Sequence, residues 1–243
     1  MKIIDAVWEK RNLGVSAREV SLEQTDTAAD LAGLADLDCS YAVVKVPAGK
    51  IDLMFKLEDL GFRFIETMFD LRHDLRDIGG GLSGVVRRLT DSVRQAEMDS
   101  ADLAELFRQF HRNIFYTDRI YIDPAFTAEQ AARRYTGWIN DEMERGAVAC
   151  KCLFKERTVG FFVMRIDEKK VGHLILAGLY RGYENSGLGL GVGLAEVRAA
   201  RARGCSYCLG RCSSNNLAAM NMNLGLGFRV VAAKYIYVKH KVL

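Results

Sequence analysis

The sequence has no long hydrophobic run. Although 49% of the 243 residues are hydrophobic, no apolar stretch reaches the roughly 18 uninterrupted residues that a membrane-spanning helix needs. The start of the chain shows no cationic leader followed by an apolar segment. We therefore expect a globular cytoplasmic protein that has no membrane contact and is large enough to bury a sizeable core.

Neither sign of charge dominates the sequence. The 34 basic and 31 acidic residues leave a formal net charge of +3, which is spread over both halves of the chain. Nucleic-acid-binding domains concentrate Lys and Arg in a stripe, and solvating arms are runs of acidic residues. The sequence contains neither pattern, so we expect no nucleic-acid partner.

The six cysteines do not follow a metal-ligand pattern. Cys205, Cys208 and Cys212 fall in a strand-like segment, where residues three apart point to opposite faces and cannot share an ion. Cys150 and Cys152 form a second group in another such segment. Cysteine often acts as a small buried hydrophobe, and unpaired cysteines are typical of a reducing cytoplasm. We predict buried cysteines and no metal site.

Residues 78–84, Ile-Gly-Gly-Gly-Leu-Ser-Gly, interrupt the pattern of the chain because neither helix nor strand favours such a glycine run. We place a domain boundary there, between a small α/β domain at 1–78 and a larger domain at 85–243. Within the small domain we predict strands at residues 41–46 and 62–71. We predict helices at residues 26–37 and 53–60.

Two helices begin the larger domain. Asp99 or Ser100 caps the first, whose apolar residues recur every three or four positions. These residues are Leu103, Leu106, Phe107, Phe110 and Ile114. Thr127 and Gln130 have the spacing of a capping box at the start of the second. The loop between the helices, residues 115–124, is aromatic and charged, which is typical of a functional loop, although a plain connection is the alternative.

The second half of this domain alternates strands and helices. Short charged turns make the first three strands an antiparallel meander, at residues 147–154, 159–167 and 171–179. We then predict a helix at 190–203, a strand at 207–212, a helix at 216–224 and a closing hairpin of strands at 228–234 and 235–239.

A glycine-rich run, Gly187-Leu188-Gly189-Leu190-Gly191, lies between a predicted strand and a predicted helix. There, backbone N–H groups and the positive end of the helix bind phosphate, and glycine lets a ligand approach closely. The run lacks the Lys-Ser/Thr ending of a Walker loop, and no acidic residue follows at the spacing of a dinucleotide site. It predicts another phosphate-containing ligand, with close helix packing as the alternative.

The order of elements over residues 95–240 resembles the GNAT superfamily of acyl-CoA-dependent N-acetyltransferases. An Asn-bearing helix and the segment Leu226-Gly227-Phe228-Arg229 belong to the likeness. It implies a mixed α/β fold, with a central, mostly antiparallel sheet flanked by helices, and acetyl-CoA as cofactor. In the family's Gln/Arg-x-x-Gly-x-Gly/Ala motif, Glu184 occupies the first position, so we expect it to point away from the pyrophosphate.

Two segments resemble a narrower group, the bacterial acetyltransferases of the TDP-fucosamine type, which also carry a small N-terminal domain. They are residues 61–67 and residues 115–140, with Tyr116, Asp118, Arg119, Asp123, Tyr135 and the run 138–140. This resemblance implies acetylation of the primary amine of a nucleotide-linked 3- or 4-amino-dideoxy sugar.

The resemblance also implies which residues bind the cofactor. The pantetheine arm would pair with the strand at 173–179 as an added strand does, at Leu176, Ala177, Gly178 and Leu179. The amide of Leu179 would stabilise the oxyanion, and the amides of residues 187–191 would hold the pyrophosphate. Asn216 matches the family's cofactor-binding asparagine. Asn215 is an alternative, and so is a helix-capping role.

Proton transfer departs from the family pattern. The family's general acid is a tyrosine seven residues after that asparagine, where this chain has Asn223. An amide does not donate a proton readily, so the thiolate leaves unprotonated or another side chain takes the role. The candidates for the acid are Tyr180, Tyr183 and Tyr235. The candidates for the base are His111, Asp118, His173 and water.

The same resemblance points to acceptor-binding residues on the loop after residue 115, namely Tyr116, Asp118, Arg119 and Tyr121. The planar fork of Arg119 suits a nucleotide phosphate, and Tyr116 and Tyr121 would stack on a base or sugar, with plain surface placement as the alternative.

Other outcomes stay open at this point. Two copies pairing through the strand at 235–239 would form a homodimer. The chain would otherwise acetylate a different small-molecule or protein amine, or bind acyl-CoA without turnover.

Overall fold

A computed structural model describes residues 1–241, apart from the side chain of Val85. The strands are β1 (Lys2–Asp5), β2 (Ala17–Ser21), β3 (Tyr41–Pro47), β4 (Arg63–His73), β5 (Arg94–Glu97), β6 (Val148–Phe154), β7 (Arg157–Ile166), β8 (Val171–Leu179), β9 (Tyr207–Ser213) and β10 (Arg229–His240). The helices are α1 (Val7–Leu13), α2 (Ile51–Asp59), α3 (Gly84–Asp91), α4 (Ser100–His111), α5 (Arg119–Ile122), α6 (Ala128–Glu144), α7 (Leu188–Ala202) and α8 (Leu217–Gly225), with a 3-10 helix at Ala28–Leu34.

The strands form one 10-stranded sheet in the order β1-β2-β3-β10-β4-β9-β8-β7-β6-β5. Neighbouring strands are antiparallel except for the pairs β2–β3 and β8–β9, which are parallel. The predicted mixed α/β class is confirmed. Within residues 1–241, no helix is both long and apolar enough to span a bilayer.

Helices cover both faces of the sheet. Phe161 and Phe162 are neighbours in β7 and point to opposite faces, so they enter different hydrophobic cores. Phe161 packs under α4 and α6, and Phe162 packs under α7. In the N-terminal part, α1 lies on the α6 face and α2 with the 3-10 helix on the other. On the α6 face, helices α4, α6 and α1 therefore form a continuous layer.

The predicted closing hairpin is wrong. Residues 229–240 form one strand, β10, because no glycine, proline, asparagine or aspartate near Lys234 and Tyr235 favours a turn. Strand β4 lies beside β10 instead, between β10 and β9. Residues 235–238 have β3 on one edge and β4 on the other, so this part of the segment at 235–239 offers no free edge to a second copy.

The N-terminal segment is tied to the rest of the chain. Strand β4 pairs with both β9 and β10, and Arg11 on α1 donates to Asp141 on α6 at 2.8 and 2.7 Å. Strands that precede and follow residues 78–84 thus belong to one sheet, and α3 begins at the end of that run. A boundary between independently folding domains at this point stays a prediction.

Candidate active site

Strands β8 and β9 pair at one end only. Residues 171–173 lie in parallel register with residues 207–209, and beyond them residues 174–179 keep partners only on β7. A bulge at Ile175 accompanies this separation, since Leu174 and Leu176 pair with adjacent residues of β7. Residues 174–179 are all half-buried. The separation leaves an opening in the sheet, edged by strand backbone that has hydrogen-bonding capacity to offer.

The glycine-rich run begins α7 beside this opening. Gly187 is the N-cap, with a φ of 78° that favours glycine, and Ser186 Oγ accepts from the amide of Leu188 at 3.3 Å. A β-carbon placed on Gly189 would lie 3.7 Å from Met222 Sδ and 3.8 Å from a methyl carbon of Leu179. The end of β8, the start of α7 and helix α8 therefore meet at one place. The first amides of α7 have no acceptor within the helix.

The glycines of α7 do not all have the same environment. A β-carbon on Gly191 would lie 2.5 Å from a methyl carbon of Val93, and one on Gly193 would lie 2.7 Å from a methyl carbon of Leu226. Both glycines are buried and allow close packing of α7 against its neighbours. Close packing, the alternative that the sequence left open, therefore applies at Gly191. A cofactor contact through its amide stays a prediction.

Glu184 contacts two neighbouring residues of its own loop. Its Oε2 accepts from the amide of Gly182 at 2.6 Å, and its Oε1 lies 3.6 Å from Arg181 Nε. The acidic side chain at the first motif position is therefore held within its own loop.

Asn216 caps α8. Its Oδ1 accepts from the amide of Ala219 at 3.0 Å, which is the capping role named as an alternative. Asn215 is exposed, and its side chain donates to the carbonyl of Ile65 at 3.4 Å. Asn223 is half-buried on α8, next to Met222 at the meeting point of the three elements. Contacts of these asparagines with a cofactor stay predictions.

The three tyrosines proposed as acids lie in different environments. Tyr180 is buried on the α4 face, 6.2 Å from the Phe161 ring, and burial raises the pKa of its hydroxyl. Tyr235 packs against the core under α2. Tyr183 borders the cores on both faces, beside the glycine-rich run. Of the three, Tyr183 has the best position for a role at the opening.

The two histidines proposed as bases are paired elsewhere. His173 Nε2 lies 3.0 Å from Asp167 Oδ2 at the start of β8, roughly 20 Å along the strand from Leu179 at 3.3 Å per residue. His111 Nδ1 lies 2.9 Å from Glu129 Oε2 on the protein surface.

A buried glutamate that the sequence analysis did not identify lies on β4, one strand beyond the opening. Glu66 on β4 is 1% exposed and accepts from Ser213 Oγ at 2.5 Å. Ser213 is the last residue of β9, at the end where β9 has left β8. Burial raises the pKa of Glu66, with Ser213 and Arg119 opposing the shift. A raised pKa suits a carboxylate that accepts a proton near neutral pH. No signal in the sequence singles out Glu66, because β4 also contains Arg63, Asp70 and Arg72.

The predicted acceptor residues fall into two groups. Tyr116 is 59% exposed, and Tyr121 is half-buried against the core under α1. Asp118 and Arg119 instead join a buried ion cluster in which Glu9 lies 3.6 Å from Arg119 and 2.9 Å from Arg134. Asp118 also caps α5 by accepting from Ile120 at 2.9 Å. A phosphate contact by Arg119 stays a prediction and would have to compete with Glu9.

All six cysteines are buried and reduced. Desolvation raises the pKa of Cys208 to about 12 and that of Cys212 to about 11, which keeps both thiols protonated. Across the described residues, His, Cys, Asp and Glu side chains form no cluster of three or more that could hold a metal ion. Burial of the cysteines agrees with their predicted role as small hydrophobes.

Solved structures share the fold of this chain. A conserved protein of unknown function from Staphylococcus epidermidis superposes with a TM-score of 0.59 at 11% identity, over 93% of this chain and 84% of its own. A GCN5-related N-acetyltransferase (GNAT) from Sphaerobacter thermophilus gives 0.58 at 12% identity, over 82% of this chain and 59% of its own. One from Kribbella flavida gives 0.54 at 13% identity, over 93% and 82%.

The chain has the GNAT fold. No family model matches its sequence, and no curated protein matches it. At these identities the likeness shows the GNAT fold alone, and nothing in it favours the TDP-fucosamine type over other acetyltransferases.

Proposed function

We propose that this chain is an acetyl-CoA-dependent N-acetyltransferase whose cofactor binds in the opening between β8 and β9. The observation that carries the proposal is the position of the glycine-capped start of α7, directly beside the separated end of β8. The opening offers strand backbone to an extended chain, and α7 offers amides to a phosphate group. Acetyl-CoA contains both, as a pantetheine arm joined to a pyrophosphate.

The residues at the opening fit this ligand. Leu176, Ala177, Gly178 and Leu179 have one free backbone edge for the arm. The start of α7 is accessible to the pyrophosphate, because Gly187 is exposed, Gly189 is half-buried and Glu184 is held by the amide of Gly182. Gly187, Leu188, Gly189 and Leu190 supply the amides, with Gly191 contributing mainly through packing. The cofactor, when bound, supplies an activated acetyl thioester.

Two groups of the chain would assist the transfer. The amide of Leu179 would donate to the thioester carbonyl oxygen, and a fixed donor of this kind contributes roughly 3 kcal/mol to the transition state. Glu66 would take the proton from the attacking amine, directly or through water, while Ser213 holds the carboxylate in place. Such a base contributes about 10²- to 10⁴-fold to the rate.

The assignment of a residue that assists departure of the thiolate is weaker. Asn223 stands where the family has its acid and would at most donate a hydrogen bond to the sulfur. Because a thiol has a pKa of about 8.5, a thiolate can leave without a proton at moderate cost. The missing acid also favours a second candidate function, an acyl-CoA-binding module without turnover.

The acceptor that we propose is the primary amine of a nucleotide-linked 3- or 4-amino-dideoxy sugar. Exposed Tyr116 and half-buried Tyr121 would stack on it, and Asp118 and Arg119 would shape the loop that carries them. Another small-molecule or protein amine is the alternative acceptor. Support for the sugar comes from sequence resemblance in residues 61–67 and 115–140.

Cofactor binding is tested by calorimetric titration of CoA. Gly189→Asp places a negative charge at the start of α7, so we expect at least about tenfold weaker binding from repulsion of the pyrophosphate. Gly81→Asp is the matched control, because Gly81 is exposed and a β-carbon there meets no atom within 4 Å. Equal binding by both variants would refute the proposed pyrophosphate site.

Acetyl transfer is tested by thiol release from acetyl-CoA with a panel of nucleotide-linked amino sugars and, in parallel, polyamines, amino acids and peptides. Turnover with a sugar supports the proposed acceptor, and faster turnover with another amine replaces it. Glu66→Gln should then lower kcat about 100-fold with little change in KM. CoA binding without transfer to any amine would favour the binding module.

A further inference from the structure

Gly178 lies in an aromatic enclosure on the α4 face of β8. It is the cross-strand partner of Phe161, and a β-carbon placed on Gly178 would lie 3.0 Å from two ring carbons of Phe115 and 3.4 Å from one of Phe161. Ordinary carbon contacts are about 3.5–4.0 Å, so no further atom fits between the strand and the Phe115 ring.

Neighbouring rings hold Phe115 in place. Its centroid lies 4.7 Å from that of Tyr135, 5.8 Å from Phe110 and 6.1 Å from Phe161. Phe110 and Tyr135 come from α4 and α6, the two helices that flank the loop carrying Phe115. A ring packed on several sides is costly to displace, because an aromatic core residue contributes several kcal/mol when it is removed. Phe115 therefore forms a firm wall over Gly178.

We propose that Phe115 sets the length of the acyl chain that the site accepts. This inference rests on the proposed function, in which the thioester lies beside residues 176–179. A two-carbon acetyl group needs no space across Gly178, whereas a longer chain directed toward the α4 face meets the Phe115 ring. Phe161 closes the same face from β7, since it is fully buried and faces Gly178. The chain is thereby selective for acetyl over longer acyl groups.

The test is a set of calorimetric affinities for CoA, acetyl-CoA and butyryl-CoA, which needs no acceptor. Wild type should bind CoA and acetyl-CoA within about threefold of each other and butyryl-CoA at least about tenfold more weakly, the selectivity that extra methylenes bring in a closed pocket. Phe115→Ala should reduce the butyryl discrimination to about threefold or less. Phe115→Leu, which keeps more of the packing, should give an intermediate ratio.

Phe107→Leu is the matched control. Phe107 belongs to the same core and packs on Phe110 at 6.2 Å, but it is not among the residues that meet Gly178. It should keep the wild-type ratio of affinities.

Two results would overturn the inference alone: equal wild-type affinity for acetyl- and butyryl-CoA, or unchanged discrimination in both folded Phe115 variants. Absence of CoA binding to wild type would instead overturn the proposed function, and the inference with it.

Discussion

The two ends of the β8–β9 pair differ in how their backbone groups are hydrogen-bonded. At the closed end, residues 171–173 and 207–209 share a parallel ladder, and Val171 and Cys208 are buried under α7. At the open end, residues 174–179 have a partner on one side only and are half-buried. Backbone groups away from water must be hydrogen-bonded, so the open end persists only where solvent or a ligand supplies the partners.

The comparison separates stability from function along a single strand. At the closed end, Gly172 and His173 pair with both β7 and β9, and Val171 packs under α7. At the open end, β8 lacks the hydrogen-bond ladder to β9. Its backbone edge can therefore pair with an extended molecule. A change at the closed end should therefore alter folding, and a change at the open end should alter binding.

The largest expected effect concerns Glu196, which α7 buries over the closed end near Cys152 and Cys208, where burial first and Glu196 second raise the pKa of both thiols. Its Oε1 has no hydrogen-bond partner, and desolvation raises the pKa of Glu196 from 4.5 to about 8. The folded state retains the proton that the unfolded state releases. Stability should therefore fall as pH rises from 4.5 to 8, by up to about 5 kcal/mol.

Urea unfolding of Glu196→Gln measures this effect, because the amide has a similar shape and does not ionise. The variant should match wild type at pH 5 and exceed it by several kcal/mol at pH 9. Glu144→Gln, at an exposed position on α6, is the control and should follow wild type throughout. A Glu196→Gln profile parallel to wild type would contradict the prediction.

Ligand binding should have the next largest effect on stability, and it should protect the open end only. CoA at a hundred times its Kd should raise the free energy of unfolding by about 2.7 kcal/mol. Hydrogen exchange should slow at residues 174–179 and 188–190, while residues 171–173 remain as they are without ligand. Protection spread evenly over both ends would remove the distinction between them.

A methyl group at the closed end should destabilise the fold. A β-carbon on Gly172 would lie 3.1 Å from Cys208 Sγ and 3.4 Å from Cys205 Sγ and Ala200 Cβ. These neighbours must shift, and crowding of this kind costs about 1–3 kcal/mol. Gly172→Ala should lower the midpoint of urea unfolding and leave the affinity for CoA unchanged. Wild-type stability of this variant would show that the closed end is loosely packed.

The same substitution at the open end should have the smallest effect on stability. A β-carbon on Gly210 of β9 would lie 3.7 Å from Leu174 Cβ, an ordinary contact. Gly210→Ala should stabilise the protein by about 0.5 kcal/mol, because alanine restricts the unfolded chain. A loss of more than 1 kcal/mol in urea unfolding would mean that the strands are closer together than the structure shows.

Features encoded in neighbouring residues were predictable. The helix cap at Asp99 and the capping box of Thr127 with Gln130 are confirmed, because each joins groups three residues apart. Strand β8 has the predicted bounds, since charged turns and alternation mark it locally. Strand β5 was missed, because Arg94–Glu97 is short and exposed and lacks an apolar face. Helix α3 was missed because the glycine run next to it suggested a break.

Features that join distant residues were not predictable. Nothing near residue 229 indicates that β4, rather than a second C-terminal strand, lies beside β10. The bond from Ser213 to Glu66 spans 147 positions, and Phe115 meets Gly178 only after α4 and α6 have packed on the sheet. The position of Glu9 on α1 beside Arg119 was likewise not predictable.

The sequence by itself determined the helical and strand periods, the local caps and a glycine-rich helix start suited to phosphate, because these depend on residues a few positions apart. Only the tertiary structure decided that β8 and β9 separate beside that helix, that Gly191 packs on Val93, that Ser213 meets Glu66 and that Phe115 meets Gly178. Those results depend on strand order and side-chain volume across the whole sheet, which no local pattern contains.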